Sequence, residues 1–224
     1  MKYLNKNLYK NFITFFFFVN LLSFSACSIA SITSYTNQCK NHANIKINVK
    51  RYVNSQYSRR KFLRLGIFPF SVPANFSSYS VDRADYGTLL AQELQPTLLS
   101  LDVFSTAELL DYNDWSNKKQ EFFSNNIKAI EIGKNLGLDF IVVGAMSPNN
   151  FVDKMTVYSK IIDVNTGITI FYGETTGINE KFENKNFLNA NFNSKSDPSD
   201  LMLDRLTNTT MRCHGNLILN SISK

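Results

Sequence analysis

Two of the three cysteines of this chain and both of its histidines have types and spacing that could bind a metal or form a covalent bond. Cys39 precedes His42 by three positions, and Cys213 is followed directly by His214. Two sulfurs and two nitrogens are the ligand set of a structural zinc ion, although neighbouring ligands such as Cys213 and His214 chelate poorly. The two cysteines could equally form a disulfide or stay as free thiols, and the compartment decides between these states.

Paired carboxylates, another common catalytic arrangement, occur at Asp111 with Asp114 and at Asp163 with Glu174. No histidine or nucleophile is placed to complete a catalytic site with either pair. We therefore interpret both pairs as turn and surface groups. The sequence predicts a protein that is not an enzyme and that has no cofactor and no metal.

The first 26 residues have the three regions of a signal peptide. Three lysines and no acidic residue come first, an apolar stretch follows over residues 12–24, and Ser25-Ala26 precedes Cys27. Small residues directly before a cysteine resemble the lipobox of bacterial lipoproteins, in which that cysteine is lipid-modified. An ordinary secretory peptide and an uncleaved membrane anchor are the alternatives.

A lipid-modified Cys27 would hold the protein at a membrane, because each buried methylene contributes about 0.8 kcal/mol and several acyl chains act together. Ser28 is not acidic, which resembles the signal for outer-membrane sorting in enteric-type lipoproteins. The resemblance implies a lipid-anchored protein on the outer membrane that faces the periplasm. Because an exported protein meets an oxidising environment, we expect a disulfide between Cys39 and Cys213, with free thiols and zinc as alternatives.

The 224-residue chain divides into a signal peptide (1–26), a tether and N-terminal arm (27–58) and an α/β domain (59–224). Three of the 24 basic residues lie in the signal peptide, so the remainder carries 21 basic and 18 acidic side chains, a formal charge of +3. This small excess does not indicate a nucleic-acid partner. The dense basic run Arg59-Arg60-Lys61, with Arg64, is interpreted as the solvated start of a strand; a phosphate or lipid-headgroup site is the alternative.

Hydrophobic periodicity predicts a sheet with helices packed on it. The expected strands are residues 61–70, 103–105, 138–146, 154–163 and 168–175, with a short edge strand at 45–49 as a further candidate. The expected helices are 82–99, 106–110, 118–136 and 200–222. Residues 138–146 are almost all apolar, which is typical of a strand buried on both faces. Two strand–helix–strand crossovers followed by a hairpin predict an α/β fold, a three-layer mixed sheet of about five strands with a C-terminal antiparallel hairpin.

Several positions carry more specific expectations. Gly167 should close the hairpin turn in a left-handed conformation, and Gly137 should end a helix in the same way. Pro96 should kink or end its helix. Phe62 is among the apolar side chains of the strand over 61–70. Helical spacing predicts that the apolar residues of the helix over 118–136 face the core, namely Phe122, Phe123, Ile127, Ile130 and Leu136. Trp115, in a polar loop, is interpreted either as a contact for a protein partner or as a residue packed over a helix.

Three motifs together resemble one superfamily of bacterial envelope proteins. They are Gly66-Ile67-Phe68-Pro69-Phe70; Gly133, Gly137 and Asp139 followed by Ile141-Val142-Val143-Gly144; and Asp163-Val164, Thr166-Gly167 and Ile170. The combination is similar to the periplasmic domain of the curli-assembly lipoproteins (CsgG) and their relatives, namely the FlgO flagellar lipoproteins, LpoB and the TolB amino-terminal domain. The resemblance implies a protein that binds other envelope proteins in secretion, flagellar or cell-wall assembly, and it leaves a homo-oligomer open.

An oligomeric export-channel component of the curli-assembly type is the alternative function. The curli channel inserts long amphipathic hairpins between its strands, whereas only residues 147–153 separate the strands at the first equivalent place. A membrane-spanning strand needs about 9–11 residues, so this link is too short. Residues 179–197 are long enough for one hairpin, but apolar and polar residues do not alternate cleanly there. We therefore expect a relative that is not a channel.

Overall fold

The computed structural model describes residues 39–60, 62–74, 76, 83–112, 118–148, 154–178 and 198–222. This part of the chain contains six strands and five helices. In chain order they are β1 (Cys39–Lys46), α1 (Val49–Gln56), β2 (Arg64–Ile67), α2 (Arg83–Leu99), β3 (Thr106–Leu109), α3 (Lys118–Phe123), α4 (Ile127–Asn135), β4 (Phe140–Met146), β5 (Lys154–Asp163), β6 (Thr169–Ile178) and α5 (Pro198–Ile222).

The strands form one mixed sheet in the order β1-β6-β5-β4-β2-β3. β2 lies parallel to both of its neighbours, β3 and β4. β4, β5, β6 and β1 are successive antiparallel neighbours. Parallel neighbours require crossover connections, and helices α2, α3 and α4 provide them, whereas a tight turn joins β5 to β6. The predicted mixed α/β sheet is confirmed, with six strands where about five were expected.

Helices cover the sheet on both faces, which makes three layers. One apolar core lies between the sheet and helices α1, α2 and α5. A smaller core lies between the other face and helices α3 and α4. β4 serves both cores, because Phe140 and Val142 belong to the first while Ile141 and Val143 belong to the second. Every residue of β4 is buried, as predicted.

The prediction of a helix over residues 106–110 is wrong, since Thr106–Leu109 forms strand β3. The strand pairs in parallel register with β2, from Arg64 opposite Thr106 to Ile67 opposite Leu109. A helix of five residues would leave most of its terminal N–H and C=O groups without intrahelical partners. Pairing with β2 satisfies these groups, so the tertiary partner overrides the local pattern.

The expected edge strand at residues 45–49 lies earlier in the chain, at Cys39–Lys46. The side chain of Asn48 accepts a hydrogen bond from the backbone N–H of Arg51, and it thereby caps helix α1, which starts at Val49. The arm therefore contributes both an edge strand and a helix that packs on the first core. The apolar residues Val49 and Val53 are spaced for this helix and are both buried.

The helix expected over residues 118–136 is two helices, α3 and α4, separated at Asn126. Asn126 has a φ of 55°, a left-handed conformation that asparagine tolerates better than most residues. Helix α2 continues as far as Leu99 despite Pro96. Gly137 and Gly167 have φ values of 66° and 73°, which confirms the helix end and the hairpin turn expected at these positions. Among the described residues, no helix combines the length and the apolarity needed to cross a membrane.

Candidate interaction surface around the β5–β6 turn

Asp163, the last residue of β5, organises the turn that follows it. Its side chain is fully buried and accepts hydrogen bonds from the backbone N–H groups of Asn165 and Thr166, at 2.8 and 3.1 Å. It also accepts hydrogen bonds from the hydroxyls of Tyr52 and Tyr57, each at 2.8 Å. The carboxylate therefore holds the turn and the end of helix α1 together. Its predicted turn role is confirmed, but it is not a surface group.

Asp139 joins the starts of β2 and β4 in a similar way. It is 5% exposed, accepts a hydrogen bond from the backbone N–H of Arg64 at 3.0 Å and forms an ion pair with Arg60. The Arg60 guanidinium also lies over the Tyr57 ring, 5.8 Å from its centroid. A buried carboxylate needs such donors, since an unpaired one is costly. Arg60 is thereby held in one orientation at the surface.

Arg64 uses its guanidinium within the fold. It binds Glu108 of β3 through two hydrogen bonds, at 2.9 and 3.0 Å, and donates to the carbonyl of Leu136 at the end of α4 at 3.1 Å. Hydrogen bonding to Arg64 lowers the pKa of the Glu108 carboxyl. Of the basic run singled out in the sequence, Arg59, Arg60 and Arg64 lie at this end of the sheet, and Lys61 lies outside the described residues.

The tyrosines that contact Asp163 titrate above their ordinary range. Burial, with the adjacent Asp163 acting in the same direction, raises the pKa of Tyr57 to about 12. Burial likewise raises the pKa of Tyr52. Both hydroxyls therefore remain protonated near neutral pH and act as hydrogen-bond donors, which is the form that the carboxylate requires.

An open polar groove lies beside the turn, with a volume of about 470 Å³. It is lined by Gln56, Tyr57, Ser58, Arg59, Arg60, Asp163, Asn165 and Thr166. Arg59 and Arg60 are exposed in this polar groove, whereas the carboxylate of Asp163 is buried and already accepts four hydrogen bonds. The accessible charge of the groove is therefore positive.

An apolar groove of about 380 Å³ lies on the other side of the same turn. It is lined by Ile127, Ile130, Glu131, Lys134, Asn165, Thr166 and Gly167. Ile127 is 61% exposed. Phe123, in helix α3 shortly before it, is 53% exposed, and Ile168, directly after Gly167, is 46% exposed. Asn165 and Thr166 line both grooves, so the β5–β6 turn is the ridge between them.

The exposed apolar residues overturn part of the predicted core. Phe123, Ile127 and Leu136 were expected to face inward with Phe122, but only Phe122 is buried. The buried face runs through Phe122, Ala129 and Ile132, so Phe123 and Ile127 lie on the neighbouring, exposed face. Phe62, one of the apolar residues of the strand predicted over 61–70, is 77% exposed and precedes β2.

A second set of chemically capable residues lies inside the fold, between α5 and the sheet. A disulfide joins Cys39 of β1 to Cys213 of α5. The neighbouring His214 is fully buried, and its ring nitrogens lie 2.6 Å from the Ser159 hydroxyl and 2.9 Å from the Thr175 hydroxyl. Burial lowers the pKa of His214 to about 4, so the ring is neutral at pH 7.

This arrangement does not match the zinc alternative. Both cysteine sulfurs are in the disulfide, and the His214 nitrogens contact hydroxyl groups of β5 and β6. His42 is exposed on the edge strand β1, opposite Glu174. Within the described ranges, no group of three or more histidine, cysteine, aspartate or glutamate side chains could hold a metal ion.

The paired acids singled out in the sequence are not brought together where both can be placed. Asp163 ends β5, whereas Glu174 pairs with Tyr158 near the middle of that strand. Asp111 is exposed. Asp114, Trp115, the lipid-attachment residue Cys27 and the segment 179–197 lie outside the described residues.

Sequence reasoning did not identify the surface around the turn. In the sequence, Asp163 belongs to a carboxylate pair and to a family motif, and Asp139 belongs to another of the family motifs. Nothing in the sequence predicts a role for Tyr52 or Tyr57. One signal was present, since Tyr52 and Val53 are spaced from Val49 as on one side of a helix. The distant partner of these tyrosines, Asp163, becomes apparent only from the fold.

Comparison with known proteins found no matching family model. No curated protein matches either. Several solved structures are similar at low identity. A PelC dodecamer from Paraburkholderia phytofirmans is 11% identical, with a TM-score of 0.45 over 83% of this chain and 99% of that one. Lipoprotein GNA1162 from Neisseria meningitidis is 12% identical, with a TM-score of 0.33 over 65% of this chain and 94% of that one.

The LpoB C-terminal domain from Escherichia coli is 17% identical, with a TM-score of 0.32 over 57% of this chain and 93% of that one. LpoB is one of the relatives that the sequence motifs resemble. Scores and identities this low do not establish a family for the chain. The resemblance to the curli-assembly superfamily therefore stays a prediction.

Proposed function

We propose that this protein is a non-enzymatic lipoprotein, anchored through Cys27 in the outer membrane and facing the periplasm, that binds other envelope proteins during secretion, flagellar or cell-wall assembly. The observation that carries the proposal is the exposed surface around the β5–β6 turn, where an apolar groove with Ile127 adjoins a groove with accessible arginines. Exposed apolar surface next to charged groups is typical of sites that bind proteins.

The internal chemistry of the described residues supports a binding role over a catalytic one. His214 is fully buried and bonded at both nitrogens. Asp139 and Asp163 are buried and accept hydrogen bonds from residues that hold the fold together. The disulfide between Cys39 and Cys213 supports an exported protein, since such bonds persist in oxidising compartments.

The anchor is tested by metabolic labelling with a palmitate analogue in a bacterium that has an outer membrane. The full chain is expected to incorporate label and to fractionate with the outer membrane, and Cys27→Ala is expected to lose both properties. An unlabelled wild-type chain, or label that persists in Cys27→Ala, would contradict lipidation at this residue. Cys39→Ala is the matched control, because this cysteine is expected to be in the disulfide.

The binding role is tested by amine-reactive crosslinking of the full chain in intact cells, followed by mass spectrometry of the adducts. The expected result is an adduct that contains a second, different envelope protein. Recovery of the protein without any adduct would overturn the proposal. Adducts that contain only this chain would replace partner binding by self-association.

A further inference from the structure

The two grooves beside the β5–β6 turn share a wall and differ in chemistry. Asn165 and Thr166 line both, so a bound chain segment can cross the turn and enter both at once. One groove presents Arg59 and Arg60, and the other presents Ile127 and Ile130. A single ligand that fills them must therefore combine carboxylates with apolar side chains.

The charges around the grooves are asymmetric. The nearby carboxylates of Asp139 and Asp163 are buried and already accept hydrogen bonds. Arg59 and Arg60 are exposed, and so is Lys134 in the apolar groove. Glu131 is the acidic residue that lines the apolar groove, and it is paired with Lys128 at 3.1 Å. The surface accordingly attracts an anionic partner.

Arg60 is held in an orientation that suits contact with an anionic partner. Its ion pair with Asp139 and its position over the Tyr57 ring hold the guanidinium in place while its side chain stays 57% exposed. A guanidinium has five N–H donors in a fixed plane, so one ion pair leaves donors for a second carboxylate. A group that is already ordered loses less conformational entropy when it binds.

We propose that the two grooves form one docking site for a segment of a protein partner in which carboxylates lie next to apolar side chains. The carboxylates contact Arg59 and Arg60, and the apolar side chains enter the groove beside Ile127 and Ile130. The concave shape favours a chain segment over a membrane surface, which is flat on this scale. This inference rests on the proposed function, since it specifies the partner of the same surface.

The test places a photo-crosslinking amino acid at Ile127 or at Ser58, one position in each groove, in the full-length chain in cells. Both positions are expected to capture the same protein, within one short stretch that contains aspartate or glutamate next to apolar residues. The control position is Lys154, at the opposite end of β5, which should not capture this stretch.

Charge reversal at the polar groove supplies the second readout. Arg59→Glu is expected to reduce the adduct formed from position 127 by about tenfold or more, because a charge-assisted hydrogen bond is lost and a repulsion is added. Lys50→Glu, an exposed charge reversal on helix α1, is the matched control and should leave the yield within about twofold.

The inference is overturned by different proteins at the two positions, by a captured stretch without carboxylates, by adducts to lipid alone, or by an unchanged yield with Arg59→Glu. Each of these results still allows amine-reactive crosslinking to show a partner bound elsewhere. Loss of the docking site is thus distinguishable from loss of the proposed function.

Discussion

Two regions of the molecule contain a network of buried polar side chains and differ in what surrounds it. One is the interface between α5 and the sheet, and the other is the surface around the β5–β6 turn. At the first, His214 bonds to Ser159 and Thr175, and all three side chains are buried. At the second, Asp163 bonds to Tyr52 and Tyr57, and the surrounding grooves are open. Both networks satisfy their buried polar groups. The second network is flanked by two grooves that carry exposed cationic and apolar side chains.

The difference teaches that residue type alone does not identify a functional site. In the sequence, the cysteines and histidines are candidate functional residues because they can bind metals or form covalent bonds. In the fold, Cys39, Cys213 and His214 connect α5 to β1, β5 and β6. From the sequence, the isoleucines beside the turn were expected in the core and the arginines in solvent. Because the fold exposes both side by side, this surface is the better candidate for a binding site.

Removal of the disulfide should have the largest effect on stability. Cys213→Ala is expected to lower the free energy of unfolding by about 4 kcal/mol, because the bond closes a loop across 174 sequence positions and restricts the unfolded chain. Urea denaturation of the purified protein monitored by circular dichroism measures the change.

The double variant Cys39→Ala with Cys213→Ala is the control for this prediction. It should be no less stable than either single variant, since one bond is lost in all three. Alkylation of both cysteines in denatured, unreduced wild-type protein would contradict the disulfide directly.

Asp163→Ala should be the next most damaging change. The expected loss is about 3 kcal/mol, because the substitution removes the acceptor for two tyrosine hydroxyls and two backbone N–H groups. Thermal denaturation by calorimetry measures it. Asp111→Ala, which alters an exposed aspartate, should stay within about 0.5 kcal/mol of wild type. Equal stability of the two variants would show that the network around the turn does not support the fold.

The sequence was sufficient for strand β4 and the β5–β6 hairpin, and insufficient for strand β3 and for the surfaces beside the sheet. The apolar run that forms β4 and the glycine at 167 have strong local patterns, because a doubly buried strand and a left-handed turn restrict residue choice. The strand at Thr106–Leu109 has no such pattern and depends on pairing with β2.

The two grooves could not be predicted from the sequence, for a related reason. Helical spacing predicts that Phe123 and Ile127 face inward, and the prediction fails because the buried face runs through Phe122, Ala129 and Ile132 instead. Arg59 and Ile127 are far apart in the chain, and the β5–β6 turn brings their grooves together. Such a surface combines the end of helix α1, helix α4 and the β5–β6 turn, which only the fold brings together.

His214 gives the buried interface between α5 and the sheet a pH dependence. Its pKa is lowered by burial from 6.5 to about 4, so the unfolded chain binds more protons between these values. The stabilisation is complete above pH 6.5 and is lost as the pH falls toward 4. Between pH 7.5 and pH 5 the free energy of unfolding should fall by about 2 kcal/mol through this residue.

Urea denaturation at several pH values, with His42→Gln and His214→Gln compared, tests this expectation. His42 is exposed, so His42→Gln should keep the decline seen in wild type. His214→Gln should flatten it, although the variant is less stable throughout. A decline that persists unchanged in His214→Gln would assign the pH dependence to other groups.

Substitution at the apolar groove should have the smallest effect on stability. Ile127→Ser is expected to change the free energy of unfolding by less than about 0.5 kcal/mol, because the side chain is 61% exposed and little of its area is buried on folding. Ile132→Ser, in the same helix but 8% exposed, is the matched comparison and should cost about 3 kcal/mol. If Ile127→Ser were as damaging as Ile132→Ser, the groove would be part of the core and the contrast between the two regions would fail. If Ile127→Ser leaves the free energy of unfolding unchanged, the Ile127 side chain is not needed for folding and remains available to contact a partner.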